Sequence, residues 1–162
     1  MNKKGHVLNA VVLSAGLAYL AYPASDFTTL RALVAIAVPV TLGALVPDVD
    51  TAVGTHRKTL HNLPVLIVFF VYPLYFDNLR LVWIGVATHY ILDLLGSKRG
   101  IALFYPFDRA EFDLPVGVPA RSRYAGGVML CITGVELAIA AAFVYDVPQR
   151  LLESGLRASG LL

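Results

Sequence analysis

The sequence has little charge and almost no cysteine, and each shortage excludes a class of protein. Only 15% of its 162 residues are charged, whereas 57% are hydrophobic, which is far from the balance of a soluble globular domain. The net charge of +2, spread between apolar segments, does not provide the basic surface that nucleic acid binding requires. The single cysteine, Cys131, excludes an intrachain disulfide. The composition therefore indicates a protein whose partner is the lipid bilayer.

The apolar residues are concentrated in five segments rather than spread in amphipathic patterns. A spanning helix needs about 20 apolar residues, so the third and fourth segments are short for a span. The third also contains Pro64 and Pro73. We predict an all-α integral membrane bundle of about five transmembrane helices. The five segments are residues 6–22, 28–46, 62–76, 79–95 and 126–145.

The chain is predicted to form one membrane domain with a short tail. The domain covers residues 1–147, and the tail, 148–162, is expected to lie on the membrane surface as an amphipathic segment. Lys3 and Lys4 precede the first apolar segment, which ends in small residues, as in a cleaved signal peptide. Because four further apolar segments follow, we interpret it as an uncleaved first helix.

The basic residues predict how the chain is threaded. With five spans, the N-terminus and the loops 47–61 and 96–125 would share one side of the membrane. They carry nine of the 13 lysines and arginines. Because cytoplasmic loops carry the excess of basic residues, we expect this side, with the N-terminus, to face the cytoplasm. The predicted location is the plasma (inner) membrane, with several membrane passes.

This threading brings all four histidines and three acids to the cytoplasmic side. Histidine and carboxylate groups ligate zinc, manganese or iron, and one tetrahedral zinc takes only four donors. Two or more divalent ions per chain, with zinc as the first expectation and manganese or iron as alternatives, would use this set. The candidate metal ligands are His6, Asp48, Asp50, His56, His61, His89 and Asp93.

Spacing indicates how these residues contribute. His89 and Asp93 are four apart, so both project from one face of a helix. Pro47 biases the residue before it away from helical geometry, so the second helix should end there. In the extended segment that would follow, Asp48 and Asp50 point to the same side. His56 and His61 would lie about 140° apart on a regular helix, so at least one belongs to a loop or each serves a separate ion.

Three sequence motifs carry a family resemblance over most of the chain up to about residue 115. They are PDVD at 47–50, HRKTLHN at 56–62 and THYILDLLGSKRGIALFYPF at 88–107. The chain resembles the membrane-bound, metal-dependent hydrolases, also described as LexA-binding, inner-membrane-associated hydrolases. Leu60 and Asn62 depart from the family pattern, which usually has threonine and serine there. The matching positions are His6, Asp48, Asp50, His56, Arg57, His61, His89, Asp93, Gly96 and Pro106.

The resemblance implies an enzyme that hydrolyses an ester with metal-activated water. A more distant similarity to zinc-dependent phospholipase C suggests a phosphoester of a lipid-like molecule at the cytoplasmic face. Asp50, His61 and Arg57 are then the expected catalytic residues, with Arg57 suited to bidentate contact with a phosphate. Lys58, Lys98 and Arg99 would hold an anionic headgroup, and the aromatic FYPF at 104–107 would lie at headgroup depth.

Other functions use the same residues differently. A divalent-cation or proton transporter should carry ionisable groups near the bilayer midplane, and Glu136, about 15 Å into the fifth segment, is the one deep candidate. We expect Glu136 to be hydrogen-bonded to Ser14 or Thr133, or to extend the polar site. A non-catalytic membrane regulator with a structural metal is the third alternative. The sequence does not indicate an oligomeric state.

Overall fold

The computed structural model describes residues 2–158 and is all-helical over that range, which confirms the predicted class. Besides the helices, the described residues form only isolated β-bridges, Ser97 with Val118 and Ile101 with Phe112. Four residues of the predicted tail, 159–162, lie outside the described range. The helices are α1 (Lys3–Ala21), α2 (Phe27–Leu45), α3 (Asp50–Val53), α4 (Leu63–Phe76), α5 (Val82–Leu95), α6 (Ala125–Val144) and α7 (Val147–Ala158).

Local sequence explains where three of these helices begin. Asn2, Asp26 and Asn62 precede α1, α2 and α4, and the side chain of each accepts hydrogen bonds from backbone N–H groups of the first turn. Such caps satisfy donors that have no partner within the helix. Asn62, which departs from the family pattern noted above, therefore has a definite role as the cap of α4.

The predicted number of five spans is wrong by the criteria of length and composition. Within residues 2–158, two helical segments are long and apolar enough to cross a membrane, Phe27–Val53 and Ala125–Val144. Helices α4 and α5 have 14 residues each, or about 21 Å, against a hydrocarbon core of about 30 Å. Helix α1 is long enough, but its first turn contains Lys3 and Lys4.

The two long segments differ from the core helices of a soluble protein. In the most apolar 18 residues of each segment, only 22% (Phe27–Val53) and 17% (Ala125–Val144) is buried inside the molecule. Helix α2 carries a continuous exposed stripe at helical spacing, formed by Phe27, Leu30, Val34, Val38 and Leu42. Contiguous apolar surface of this size is unfavourable in water and suits contact with lipid.

Two glycines set the distance between α2 and α5. A Cβ on Gly43 would overlap the carbonyl oxygen of Val82, and a Cβ on Gly85 would overlap the carbonyl oxygen of Val40 and the backbone of Ala44. Small residues at a helix crossing let the backbones approach closely, as is common between helices in membranes. This crossing holds the end of α2, which leads into the PDVD segment, directly against the histidine-bearing part of α5.

The link after α2 differs from the extended segment predicted above. Val46 keeps helical angles (φ −54°, ψ −48°), Pro47 begins a 3₁₀ turn at residues 47–49, and α3 follows at once. Proline is tolerated here because its missing N–H would have no partner in the first turn of a new helix. In helical geometry residues two apart do not share a face, so Asp48 and Asp50 point in different directions.

We expect Gly85→Ala to destabilise the protein, because the added Cβ meets backbone atoms that cannot rotate away. Overpacking of this kind costs about 1–3 kcal/mol. Gly134→Ala in α6 is the matched control, since a Cβ there meets nothing within 4 Å and alanine favours the helix. Thermal unfolding in detergent should show a lower Tm for Gly85→Ala alone, and equal Tm values for both variants would contradict the close crossing.

Candidate metal centre

All seven predicted ligands lie in one cluster at one end of the helices. Helix α1 contributes His6 near its start, and α5 contributes His89 and Asp93 near its end. The 3₁₀ turn and the start of α3 provide Asp48 and Asp50, and the irregular segment 54–62 provides the remaining two histidines. Six of the seven residues are buried, and only His56 is substantially exposed, with 38% of its side chain accessible.

The first group of potential ligands is fully buried and consists of His6, His89 and Asp93. The rings of His6 and His89 stack with their centroids 3.7 Å apart. His6 Nε2 lies 3.4 Å from Asp93 Oδ1, and His89 Nε2 lies 3.6 Å from Asp93 Oδ2. Asp93 thus directs one carboxylate oxygen towards each imidazole.

The second group consists of Asp48, His56 and His61, and it lies nearer to the surface. Behind it, the fully buried carboxylate of Asp50 accepts a hydrogen bond from Nδ1 of each histidine, both at 2.8 Å. The backbone N–H of Arg57 donates a further bond of 3.0 Å to the same carboxylate. With Nδ1 bound in this way, the Nε2 atoms are left to face a ligand.

The tautomers of His61 and His89 follow from their Nδ1 partners. In His61, Nδ1 faces the Asp50 carboxylate, and in His89 it lies 2.7 Å from the carbonyl oxygen of Ala44. Both partners are acceptors, so both Nδ1 atoms carry a proton, and in the neutral form of either ring Nε2 has a lone pair. These two Nε2 atoms are 3.1 Å apart. Two lone pairs at this distance repel unless a proton or a metal ion lies between them.

The distances around this pair fit one ion. Asp93 Oδ2 lies 3.6 Å from Nε2 of His61 and 3.6 Å from Nε2 of His89. Ligands at 2.0–2.2 Å in a tetrahedron are about 3.3–3.6 Å from one another. Asp48 Oδ1, at 4.0 Å from His89 Nε2, lies slightly farther out. The triangle of His61, His89 and Asp93 therefore has edges suited to a small divalent ion and joins the two groups.

His6 provides a separate indication of a missing partner. Its side chain is 1% exposed, and neither ring nitrogen makes a hydrogen bond by geometry within the described chain. Buried polar atoms without a partner are rare in native proteins, and each requires an explanation such as an ion. Six of the seven residues thus form two adjacent groups that could each hold a metal ion.

Burial also prepares His61 to act as a ligand. Its removal from water, together with the neighbouring His89, lowers the pKa of its ring to about 4. The ring is therefore neutral near pH 7, and a neutral imidazole is the form that binds metal. Nothing has to be deprotonated at this position before an ion enters.

The side chains of Asp50 and Arg57 have protein partners, and their expected catalytic roles stay predictions. Asp50 belongs to neither ligand group, since its oxygens face N–H donors, and this arrangement favours orienting the histidines over binding an ion. The Arg57 guanidinium is buried and donates to Ser97 Oγ at 3.3 Å, to Gly100 O at 3.2 Å and to the carbonyl of Arg99. Its Nη2 lies 3.7 Å from Asp93 Oδ1, so the guanidinium joins the loop after α5 to the first group of ligands.

Several further residues complete the site without having a recognisable sequence signal. Tyr90 donates its hydroxyl to the carbonyl of Leu60 at 2.6 Å, which fixes the segment carrying His61. Backbone bonds from Ala102 to Arg57 (2.9 Å) and from Leu63 to Leu103 (2.8 Å) join the two site loops. The only sequence feature that could have indicated Tyr90 is its position next to His89. A backbone acceptor such as that of Ala44 has no side-chain signature at all.

The remaining polar and basic candidates lie outside the two ligand groups. Lys58 pairs with Glu111 at 3.2 Å, whereas Lys98 and Arg99 are exposed beside the cluster. Glu136 is hydrogen-bonded to Asn9 and Thr88, while the hydroxyls of the predicted partners donate to backbone carbonyls. The hydroxyl of Ser14 donates to the carbonyl of Ala10.

Comparison with protein families gives one finding. The model of the family described as YdjM inner membrane protein matches residues 1–153, which is nearly the whole chain and includes every candidate ligand. No curated protein and no solved structure gives a significant match.

We expect zinc added to the detergent-purified protein to bind in stoichiometric amount and to be lost in His89→Ala. This variant removes the Nε2 atom shared by the triangle and the His6 group. Metal per chain is measured by elemental analysis after removal of free ions. Folded wild-type protein that stays metal-free after reloading with zinc, manganese and iron would refute a metal centre.

Asp50→Asn should weaken zinc binding by about 10–100-fold without abolishing it, because an amide NH₂ cannot accept the proton of one of the two imidazoles. Asp113→Asn, at an exposed loop position, is the matched control and should bind as wild type does. Competition with a chelator gives the affinities. An affinity unchanged by Asp50→Asn would show that this carboxylate does not orient the ligands.

Proposed function

The chain belongs to the YdjM inner membrane protein family, and from that premise we propose that it is a membrane-bound, metal-dependent hydrolase acting on a lipid-like phosphoester. The observation that carries the proposal is the pair of Nε2 lone pairs of His61 and His89, which face each other at 3.1 Å. We assign a divalent metal ion to this pair, because a second nitrogen and a carboxylate within reach form a metal-binding set. Asp93, placed 3.6 Å from both atoms, supplies the compensating negative charge.

A divalent ion held by these residues supplies a water nucleophile near neutral pH and polarises the oxygen of the scissile group. The protein's own contribution is to hold the ligands in place. Asp50 and the carbonyl of Ala44 fix the proton of His61 and His89 on Nδ1, so that neither ring has to reorient. Ligands held in this way lose little entropy when an ion and a substrate bind.

The substrate is expected to enter beside Asp48 and His56. The side chains of His6, His89 and Asp93 are at most 2% exposed, so they form the closed side of the centre. Asp48 and His56 have 12% and 38% of their side chains accessible. A hydrolytic site needs such an open side for water and the scissile bond, whereas a purely structural site is closed all round.

Exposed basic and aromatic residues support an anionic lipid headgroup as the recognised part of the substrate. Lys98 and Arg99 are exposed directly after the helix that carries Asp93. Phe104 and Phe107 are also exposed, by 47% and 89%. Cations and aromatic rings combine in this way at the headgroup level of membranes. Because the Arg57 guanidinium is already bound, we assign phosphate contact to Lys98 and Arg99.

We further propose that the centre lies at the cytoplasmic surface of the inner membrane and that the protein crosses the membrane more than once. The excess of basic residues in the loops around the centre supports this orientation. The short apolar helix α5 would then be held by its packing against the two long spans, whereas α4 packs on α5 and exposes apolar side chains such as Phe70 and Leu74.

The test is hydrolysis of phospholipids in proteoliposomes. We expect the zinc-loaded protein to release phosphate-containing or diacylglycerol products, and the chelated protein not to.

His56→Ala should lower kcat by at least about 100-fold, by loss of a ligand on the open side. Lys98→Ser should mainly raise KM, and Lys4→Ser, a cation on another segment, is its matched control. Absence of turnover across phospholipid and simple phosphoester panels, with zinc bound, would refute the enzyme and leave a structural metal.

Ion flux in the same proteoliposomes separates the enzyme from a transporter. We expect no movement of zinc or protons above that of empty liposomes. The described ligands crowd one end of the helices, whereas a transport path requires sites along the bundle. Flux that is abolished by Glu136→Gln and retained in His61→Ala would contradict the proposal.

A further inference from the structure

A second polar cluster lies among α1, α5 and α6, and the metal centre does not use it. Asn9 is one turn beyond His6 on α1, and Thr88 precedes His89 on α5, while α6 contributes Thr133 and Glu136. Asn9 Nδ2 lies 2.8 Å from Thr133 Oγ1 and 3.2 Å from Glu136 Oε2. Thr88 Oγ1 lies 2.8 Å from Asn9 Oδ1 and 2.6 Å from Glu136 Oε1.

The hydrogen bonds of this cluster require one more proton than is present when Glu136 is ionised. The two amide hydrogens of Asn9 serve Thr133 and Glu136. Thr88 is then in hydrogen-bond contact with two oxygens, Asn9 Oδ1 and Glu136 Oε1, but its hydroxyl has a single hydrogen. The missing hydrogen is supplied if Glu136 is a carboxylic acid. Its O–H then donates to Thr88, which donates to Asn9.

Rotating the Asn9 amide by 180° does not remove the deficit. The amide NH₂ would then donate to Thr88, and Thr88 would donate to Glu136. The amide oxygen, however, would face both Glu136 Oε2 and Thr133 Oγ1. The hydroxyl of Thr133 is already within 2.9 Å of the Met129 carbonyl. The rotated amide therefore leaves two oxygen–oxygen contacts without a hydrogen, against one in the first orientation, so a proton on the carboxyl group is needed in both.

Glu136 is also reached by a groove on the outside of the bundle. A cavity of about 270 Å³ is lined by Glu136 and Thr88 and otherwise mainly by apolar side chains, including Leu13, Leu17, Trp83 and Ile139. Glu136 belongs to α6, one of the two candidate spans, and Ile139, one turn along, is 54% exposed. An apolar groove on a span opens towards lipid, where a charged carboxylate is costly and a neutral one is not.

We propose that Glu136 is a proton-binding carboxylic acid at the base of this groove, and that uncharged apolar carbodiimides modify it from the lipid phase. The reaction needs the acid form. Its proton passes to one nitrogen of the carbodiimide, and its oxygen bonds to the central carbon, giving an O-acylisourea. Transfer of the acyl group from that oxygen to the neighbouring nitrogen then gives a stable N-acylurea, so no other reactant is required. The site is independent of whether the protein is a hydrolase.

The first measurement is labelling of the full-length protein in proteoliposomes with dicyclohexylcarbodiimide, followed by peptide mass mapping. We expect the adduct on Glu136 to dominate and to be absent from Glu136→Gln. The matched control is Glu153→Gln, which removes an exposed glutamate of α7 and should leave the Glu136 adduct unchanged. A charged, water-soluble carbodiimide should instead label loop carboxylates such as Asp113. An unlabelled Glu136 in folded protein overturns the proposal.

The second measurement tests the proton directly. Difference infrared spectra of wild type and Glu136→Gln should contain a carbonyl stretch of a protonated carboxyl group, shielded from hydrogen exchange with bulk water. Glutamine should fold normally, because its NH₂ donates to Thr88 and its oxygen accepts from Asn9, as the acid does. Thr88→Val serves as the contrast, because it removes this partner and should lower the Tm. A carboxylate band at this position would overturn the proposal.

Discussion

The close contact of α2 and α5 at Gly43 and Gly85 is the constraint on which the candidate centre depends. It brings the carbonyl oxygen of Ala44 within 2.7 Å of His89 Nδ1, so a backbone group of one helix selects the tautomer of a side chain on the other. The lone pair of Nε2 is thereby directed towards His61 and Asp93. Helix packing and ligand chemistry are consequently linked, because any change in the crossing also moves the ligand atom.

Asp50 is the second residue on which the candidate centre depends. Its hydrogen-bond donors explain how a fully buried carboxylate is tolerated. Burying an unpaired charge is very unfavourable, but three N–H groups, from His56, His61 and the backbone of Arg57, surround this one. Arg57 adopts a left-handed conformation, with φ of 67°, which aims its N–H at the carboxylate while its guanidinium reaches the loop after α5. One residue therefore joins the ligand segment to the loop that closes the site.

The sequence predicted the composition of the cluster better than its geometry. The spacing of His89 and Asp93 could be interpreted correctly because both lie on one regular helix. Asp48 and Asp50 were misjudged, since a proline that ends one helix can also begin the next, and the 3₁₀ turn sends their side chains in different directions. The acceptor role of Ala44 could not be predicted, because a backbone carbonyl has no residue-type signal and its position depends on the helix crossing. Segment length indicated that α4 and α5 were short for membrane spans. Counting every apolar segment as a span nevertheless gave too many.

The order of the ligands along the chain has a consequence for biogenesis. His6, Asp50 and His61 are synthesised well before Asp93, and the acceptors of Arg57 follow only at residues 97–100. Until α5 has emerged and docked on α2, the nascent chain therefore lacks both His89 and the shared carboxylate. All the candidate ligands are present only once α5 has docked, which is after the first candidate span has been synthesised and before the second, α6, has been. The initial packing of α1 against α2 therefore cannot depend on an ion held by the complete cluster.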